Sequence, residues 1–258
     1  MVMIEKRLPN SGQKYTSDLI HNELVYSYGY DVFSSFSAYL KYALVKKYAS
    51  MSALDAGCAN GLFSIALAPY FKNIHGVDIN HDFIHKAIDR TAELNIDNIS
   101  YSFGNLIEIP CESNTFDVVF SFSVLLLVSD FHKAVSECVR VTKPGGYVIL
   151  DITGKHNLSQ KVWCSWYEGK GHHDFTALEW SDVLNLCASN NLNMIESHAL
   201  GFLDQWKYLP LIRRVAHKLG FVDKCIHTSR SFDLDYQISN TKFFNKYANR
   251  WYIVCQKI

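Results

Sequence analysis

The sequence predicts an α/β fold with a doubly wound, Rossmann-like, mostly parallel sheet and an antiparallel strand late in the chain. Strand-like and helix-like segments alternate from about residue 52 to about residue 152, and parallel neighbours need such crossovers. A glycine-containing turn follows the first strand. Two strand-like segments come much later, as suits a hairpin-like antiparallel edge on a parallel sheet.

The predicted strands are short apolar runs. The parallel part is assigned to Ser52 to Ala56, Asn73 to Val77, Ile99 to Phe103, Phe116 to Ser121 and Tyr147 to Ile152. The late strands are assigned to Asn193 to Leu200 and Arg250 to Lys257.

Helical periodicity fills most of the intervals. Helices are predicted over Gly61 to Phe71, His81 to Leu94, about Asp130 to Val141, Thr176 to about Ser189, and Leu209 to Leu219. The fourth of these helices would begin with a T-x-x-E capping box at Thr176. The second helix would bury a face made of Phe83, Ile84, Ala87, Ile88 and Leu94. The segment from Thr153 to Phe175 has no clear period and is long for a connection, which predicts a functional loop or lid.

Composition excludes several functional classes. The N-terminus lacks the apolar stretch of a signal peptide, and no run is long enough to span a bilayer. The seven cysteines are scattered without a C-x-x-C pair, which favours reduced thiols, a cytoplasmic location and no metal site.

Net charge gives no reason to propose a nucleic-acid or membrane partner, because it is zero. From residue 205 onward, however, basic residues outnumber acidic ones by ten to three. This distribution favours an anionic substrate, and it equally suits a solvated face balanced by acidic neighbours.

The stretch LDAGCANG, residues 54–61, places two glycines where the first strand turns into a helix. Ligands of open parallel sheets bind at such turns. Asp78 ends the next strand about twenty residues on, where an acid can hold the ribose of an adenosine cofactor. A pyrophosphate would be repelled by Asp55, whereas a cofactor with an ammonium group would be attracted.

Four segments in register resemble the class I S-adenosylmethionine-dependent methyltransferases, and most closely the type 11 subgroup. They are LDAGCANG, GVDIN from Gly76, FGNLIEIPCESNTFDVVFSFSVLLLV from Phe103, and RVTKPGGYVILDI from Arg140. Together they cover about residues 50 to 152. The resemblance implies the seven-stranded fold of that class and S-adenosylmethionine as cofactor.

Carried over by resemblance, Asp55 would lie near the methionine ammonium, and Asp78 would bind the ribose. The whole set of implied cofactor contacts is Asp55, Gly57, Cys58, Asn60, Gly61, Asp78, Ile79, Asn105, Leu106, Ser121 and Phe122. Asn105 stands where the family usually has an aspartate, and an amide oxygen can accept the same hydrogen bond. Ala59 replaces the middle glycine of the family's loop and fits if its backbone angles are ordinary.

Each of these residues also has a purely structural interpretation. The glycines could be architectural, and Asp55 could cap the end of a strand. Asp78 could be the N-cap of the following helix, and Asn105 could be a turn residue.

The catalytic base, if one is needed, is expected in the polar and aromatic loop. Tyr167, His172 and His173 are the candidates, since Tyr and His commonly remove protons. The alternatives are a surface position for both histidines and, less favoured, a metal site with Asp174. Tyr26, Tyr28 or Tyr30 could close over the cofactor or pack in the core.

The resemblance divides the chain into four parts: a helical lid or cap (1–50), the cofactor-binding core (51–200), an insertion that shapes the substrate pocket (201–248) and the final core strand (249–258). The predicted function is methyl transfer to oxygen or nitrogen of a small acceptor in the cytoplasm, with the oligomeric state left open. The basic residues after position 205 favour an anionic acceptor. The alternatives are an RNA methyltransferase, a non-catalytic S-adenosylmethionine-binding protein and an NAD(P)-dependent oxidoreductase. The absence of an N/D-P-P-Y/F tetrapeptide at the fourth strand, where SFSV stands, argues against amino-methylating nucleic-acid enzymes.

Overall fold

A computed structural model describes residues 32–169, 171, 175–203, 205 and 229–258. These residues form a seven-stranded sheet with the strand order β3-β2-β1-β4-β5-β7-β6. The strands are β1 (Ser52–Ala56), β2 (Asn73–Asp78), β3 (Ile99–Phe103), β4 (Phe116–Ser121), β5 (Thr142–Thr153), β6 (Leu192–Leu200) and β7 (Arg250–Lys257). The first five strands run parallel to one another.

Strand β7 lies between β5 and β6 and runs antiparallel to both. The predicted fold class, a mostly parallel doubly wound sheet with an antiparallel C-terminal strand, is therefore confirmed. The order of the strands reverses between β1 and β4. In open α/β sheets, this is where ligands bind, outside the carboxyl ends of the strands.

The described helices cover both faces of the sheet. They are α1 (Val32–Lys47), α2 (Leu62–Leu67), α3 (His81–Glu93), α4 (Phe131–Val141), α5 (Gln160–Glu168), α6 (Trp180–Ser189) and α7 (Ser229–Ser239). Short 3₁₀ turns occupy Ala68–Tyr70, Leu125–Leu127 and Asn245–Tyr247.

The core has two layers because successive side chains of a strand point to opposite faces. Val119 packs with α4 and α6 on one face. Its neighbour Phe120 packs with α1 and α2 on the other face, against Leu44 and Leu62. Fully burying side chains of this size stabilises the fold by about 1.5–3 kcal/mol each, so α1 is held on the sheet by its own apolar face.

Three predictions of helix detail were wrong. Helix α5 lies inside the segment that was expected to lack periodicity. Helix α6 begins with a capping box, but its members are Glu179 and Asp182 rather than Thr176 and Glu179. In α3 the buried side chains are Ile84, Ala87 and Thr91. The predicted apolar face also contained Phe83, Ile88 and Leu94, which are exposed.

Strand β5 begins at Thr142, five residues before its predicted start at Tyr147. The residues from Lys143 to Gly146 lie within this strand, and its pairing with β4 shifts register between Phe116 and Val118. The predicted helix at Leu209 to Leu219 and the tyrosines at positions 26, 28 and 30 lie outside the described residues. The division of the chain into four parts stays a prediction.

Candidate functional site

The turn after β1 is fastened to the end of β2 by hydrogen bonds from its own backbone. The N–H groups of Gly57 and Cys58 both donate to the carbonyl oxygen of Val77, at 2.8 and 3.0 Å. The next N–H, of Ala59, donates to Oδ2 of Asp78 at 2.9 Å. The turn therefore lies at the carboxyl edge of the sheet, at the point where the strand order reverses.

Packing requires both glycines of this turn. Gly57 and Gly61 have φ angles of +87° and +79°, which L side chains rarely adopt. A Cβ at Gly57 would lie 2.5 Å from Cγ1 of Val124, and one at Gly61 would lie 2.5 Å from the Tyr101 hydroxyl oxygen. Packing within the protein therefore accounts for both glycines, without a ligand that lies close to the backbone.

Ala59 does not have ordinary backbone angles. Its φ of 45° lies in the left-handed region, where an L residue costs roughly 1–2 kcal/mol. The condition stated for Ala59, that it fits if its angles are ordinary, is therefore not met. The hydrogen bond from its N–H to Asp78 helps to hold this strained conformation.

Asp78 joins the turn to the start of α3. Its Oδ2 accepts from Ala59, and its Oδ1 accepts from the N–H of Asn80 at 2.9 Å. The helix N-cap is Asn80, whose Oδ1 accepts from the N–H of Phe83, so the N-cap interpretation of Asp78 was wrong. Each carboxylate oxygen has two lone pairs, and each therefore retains one for a further donor such as a ribose hydroxyl.

Asp55 is a buried acid whose charge is only partly compensated. Its side chain is 4% exposed, and its Oδ2 accepts from Oγ of Ser64 in α2 at 2.7 Å. Burial raises its pKa to about 7, Ser64 opposes that rise, and the charge of Asp78 adds to it. A cation bound beside Asp55 would lower this pKa and stabilise the carboxylate.

The residues beyond Asp78 differ in what they offer a ligand. Ile79 is 60% exposed, so an apolar side chain stands beside the acid where an adenine ring could pack. Asn105 is exposed, and its Oδ1 accepts from the N–H of Ile107 at 3.1 Å, which gives it the turn role considered above. Leu106 is buried in the core.

Ser121 and Phe122 close the site on the β4 side. Ser121 is fully buried and donates its hydroxyl to the carbonyl oxygen of Ala56 at 2.7 Å, joining the ends of β4 and β1. Phe122 packs against Phe63 of α2, with ring centroids 5.6 Å apart. These contacts bring the end of β4 next to the glycine turn, as a shared ligand site requires.

The chain was compared with known proteins. Residues 54–150 match a family model described as a methyltransferase domain. The same residues supply β1 to most of β5, the glycine turn and both acids. This segment of the chain is therefore similar to methyltransferase domains.

Curated relatives match over part of the chain. An uncharacterized methyltransferase of Schizosaccharomyces pombe is 35% identical over 103 residues, which are 37% of either chain. Malonyl-[acyl-carrier protein] O-methyltransferase of Serratia marcescens is 27% identical over 153 residues, or 58% of each. The chain thus spans between about one third and three fifths of these relatives' length.

Solved structures extend the likeness of the fold beyond the matched segment. Geranyl diphosphate C-methyltransferase from Streptomyces coelicolor, in complex with Mg²⁺, geranyl diphosphate and S-adenosyl-L-homocysteine, superposes with a TM-score of 0.61. The match covers 87% of this chain and 79% of that one at 16% identity. At this identity the likeness concerns the fold alone.

Of the three candidates for a catalytic base, the structure describes Tyr167. It lies in α5, and its pKa is raised by burial, lowered by Arg250 and raised by Asp151. The charges of Arg250 in β7 and Asp151 in β5 thus both act on its hydroxyl group. His172 and His173 lie outside the described residues, so their role stays a prediction.

Sequence reasoning missed several buried polar residues near this edge. Ser64, Lys41 and Asp151 are each buried, and each interrupts an otherwise apolar segment of the sequence. A charged or hydroxyl residue within an apolar run is the signal that could have identified them, because such residues are seldom buried without a partner.

Within the described parts of the chain, no group of three or more His, Cys, Asp or Glu residues is arranged to hold a metal ion. None of the described helices combines the length and the apolar character that crossing a bilayer demands.

Proposed function

We propose that this protein is a methyltransferase, which transfers the methyl group of S-adenosylmethionine to an oxygen or nitrogen atom of a small molecule. One observation carries the proposal: two buried carboxylates, Asp55 and Asp78, flank a left-handed glycine turn at the reversal of strand order. A cofactor with both an ammonium group and a ribose matches this pair, whereas a pyrophosphate would face the charge of Asp55.

The roles of the side chains follow from their positions. Asp55 binds the ammonium group, and its ionised form is favoured when that cation is present. Asp78 accepts from the ribose hydroxyls while it keeps its two backbone donors. Ile79 offers an exposed apolar surface to the adenine. Gly57, Cys58, Asn60 and Gly61 line the cofactor with their backbone.

When bound, the cofactor supplies a methyl group activated by a sulfonium. The protein's contribution is to hold the acceptor in line with that group and to exclude water. Ser121 and Phe122 border the methyl end of the site. An acceptor that carries a proton must lose it, and Tyr167, His172 and His173 are the candidates for receiving it.

A small acceptor is favoured by the names of the relatives and neighbours, which include a malonyl-[acyl-carrier protein] and a geranyl diphosphate methyltransferase. The zero net charge favours the same conclusion, since nucleic-acid binding depends on basic surfaces. A cytoplasmic location and the division into lid, core and insertion remain part of this proposal.

The proposal is tested by following label from methyl-tritiated S-adenosylmethionine into a metabolite pool, with S-adenosylhomocysteine release measured in parallel. We expect label in low-molecular-weight products, at a rate that changes little with salt. Label confined to RNA, with steep salt dependence, would replace the small acceptor by a nucleic acid. Cofactor binding without transfer over a broad panel would indicate a binding protein instead.

A further inference from the structure

A cluster of two buried charges and one half-buried charge lies at the carboxyl edge of the sheet, one strand away from the glycine turn. It consists of Lys41 from α1, Asp151 from β5 and Arg250 from β7. Nζ of Lys41 lies 3.3 Å from Oδ2 of Asp151, and Nη1 of Arg250 lies 3.7 Å from the same oxygen. Two cations thus share one carboxylate.

The cluster is continuous with the end of β4. The N–H of Ser123 donates to Oδ1 of Asp151 at 2.7 Å, and Lys41 donates to Oγ of Ser123 at 2.7 Å. The Lys41 ammonium also lies 5.5 Å from the centre of the Phe122 ring. Since Val124 fills the space beside Gly57, the cluster and the cofactor turn border the same region of the molecule.

The charges of this cluster do not balance when Lys41 is protonated. Asp151 is 2% exposed and Lys41 is 8% exposed. The pKa of Lys41 is lowered by burial, raised by Asp151 and lowered again by Arg250. In that protonated state the described residues of the cluster carry one positive charge in excess, and an anion that joins them would offset the cost of burying it.

Two donors in the cluster also lack acceptors. Nη1 of Arg250 and Oγ1 of Thr153 are buried, and neither has a hydrogen-bond partner among the described residues. Thr153 and Arg250 are directly opposite each other in the β5–β7 ladder, so their side chains lie on one face within reach of a common ligand. The separation of 3.7 Å from Arg250 to Asp151 is too long for a hydrogen bond.

We propose that this cluster binds a carboxylate of the methyl acceptor. A monoanion would neutralise the excess charge, and its two oxygens would accept from Arg250 and Thr153, since a guanidinium matches a carboxylate well. A dianion such as a phosphate monoester would leave the cluster with a negative charge. Tyr167, whose pKa responds to both Arg250 and Asp151, would lie beside the bound group. This inference rests on the proposed function.

Calorimetry with simple probes tests the proposal. Benzoate and hexanoate are titrated into the protein saturated with S-adenosylhomocysteine, with benzamide, hexanamide and phenyl phosphate as comparisons. We expect the carboxylates to bind more tightly than the amides and than the phosphate. Equal binding of acid and amide, or tighter binding of the phosphate, would overturn the assignment.

Three variants separate a binding role from a structural one. Arg250→Met should weaken benzoate binding at least about tenfold, because a charged hydrogen-bond donor is lost. Thr153→Val should weaken benzoate binding about fivefold. Its free energy of unfolding should stay equal or rise, since the Thr153 hydroxyl has no hydrogen-bond partner among the described residues. Lys161→Met removes an exposed charge from α5 and should change nothing.

A network that merely fastens α1 to the sheet would give a different result. Arg250→Met would then lower stability, and carboxylate affinity would be unaffected by either Arg250→Met or Thr153→Val. If Arg250→Met fails to fold, Thr153→Val alone still distinguishes a binding role of the cluster from a structural one. A failure of S-adenosylhomocysteine to bind would contradict the proposed function, and the same titrations on the free protein would still decide the carboxylate site.

Discussion

Asp55 illustrates how burial prepares a side chain for a charged ligand. The carboxylate is surrounded by core residues at the end of β1, with Ser64 as a hydrogen-bond donor and Asp78 as a repelling neighbour. Its pKa of about 7 leaves a large protonated fraction near neutral pH. An ammonium ligand must therefore displace a proton before the ion pair forms.

Cofactor affinity should depend on pH through Asp55. Below its free-state pKa, binding requires loss of the proton, so S-adenosylhomocysteine should bind about tenfold more weakly at about pH 6 than at about pH 8. Calorimetry across this range measures the effect. Ser64→Ala should move the midpoint to higher pH, because the hydroxyl stabilises the ionised acid.

The control for this prediction is Asp55→Asn, which has no titrating group at the position. Its affinity should be lower than that of the wild type at about pH 8 and nearly independent of pH. If the affinity of the wild type is constant from about pH 6 to about pH 8, Asp55 does not bind the ammonium group of the cofactor.

Ala59 stores strain that glycine would relieve. With a φ of 45°, Ala59→Gly should raise the free energy of unfolding by about 0.5–1 kcal/mol, the left-handed strain being offset in part by glycine's greater chain entropy. Urea denaturation measures this. The matched control is Ala188→Gly in α6, where the same change should destabilise by up to about 1 kcal/mol. If both variants lower the free energy of unfolding equally, the backbone of Ala59 is not strained.

At the scale of elements, helix α4 holds the loop that follows β3. Glu137, 5% exposed, accepts from the N–H of Ile109 at 2.9 Å and from Nη2 of Arg140 at 2.8 Å. Arg140 in turn donates to the carbonyl oxygens of Ile109 and Cys111. The loop that contains Asn105 is therefore fixed by one ion pair on a neighbouring helix.

Glu137→Gln should lower the free energy of unfolding by about 1–3 kcal/mol, because charge-assisted hydrogen bonds are lost at a buried position. Chemical denaturation gives the value. Lys133→Met removes the exposed partner of the same carboxylate, 3.6 Å away, and should cost at most about 0.5 kcal/mol. Similar losses in the two variants would contradict a special role for the buried pair.

The same pair has a pH signature of known sign. Hydrogen bonds from Arg140 hold the pKa of Glu137 below its ordinary value of 4.5. A lowered pKa gives stability that is present above that value and is lost as the pH falls through the folded-state pKa. The wild type should lose part of its advantage over Glu137→Gln on acidification, and a constant difference would count against the ion pair.

For the whole molecule, the sequence predicted the sheet well because strand periodicity and crossover helices are local patterns. β1, β3, β4 and β7 have their predicted bounds. Helix α5 was missed because its aromatic residues hide the helical period, and the capping box was misplaced by three residues. Local patterns mark where an element lies more reliably than which residue begins it.

The candidate site divides in the same way. The glycine turn and both acids follow from residues close together in sequence. The cluster that we propose as a carboxylate-binding site joins Lys41, Asp151 and Arg250 from three distant elements. Only the packing of α1 and β7 against β5 brings these residues together. Contacts between such distant segments produce no recognisable motif in the sequence. A charged residue within an apolar run nevertheless indicates a buried charge that needs a partner.

Calorimetric titration of the purified protein with S-adenosylhomocysteine and, separately, with NADH tests the central claim most directly. We expect saturable one-to-one binding of S-adenosylhomocysteine, weakened about tenfold or more in Asp78→Asn, and no binding of NADH. Tight binding of NADH without binding of S-adenosylhomocysteine, or an unchanged affinity in Asp78→Asn, would contradict the account.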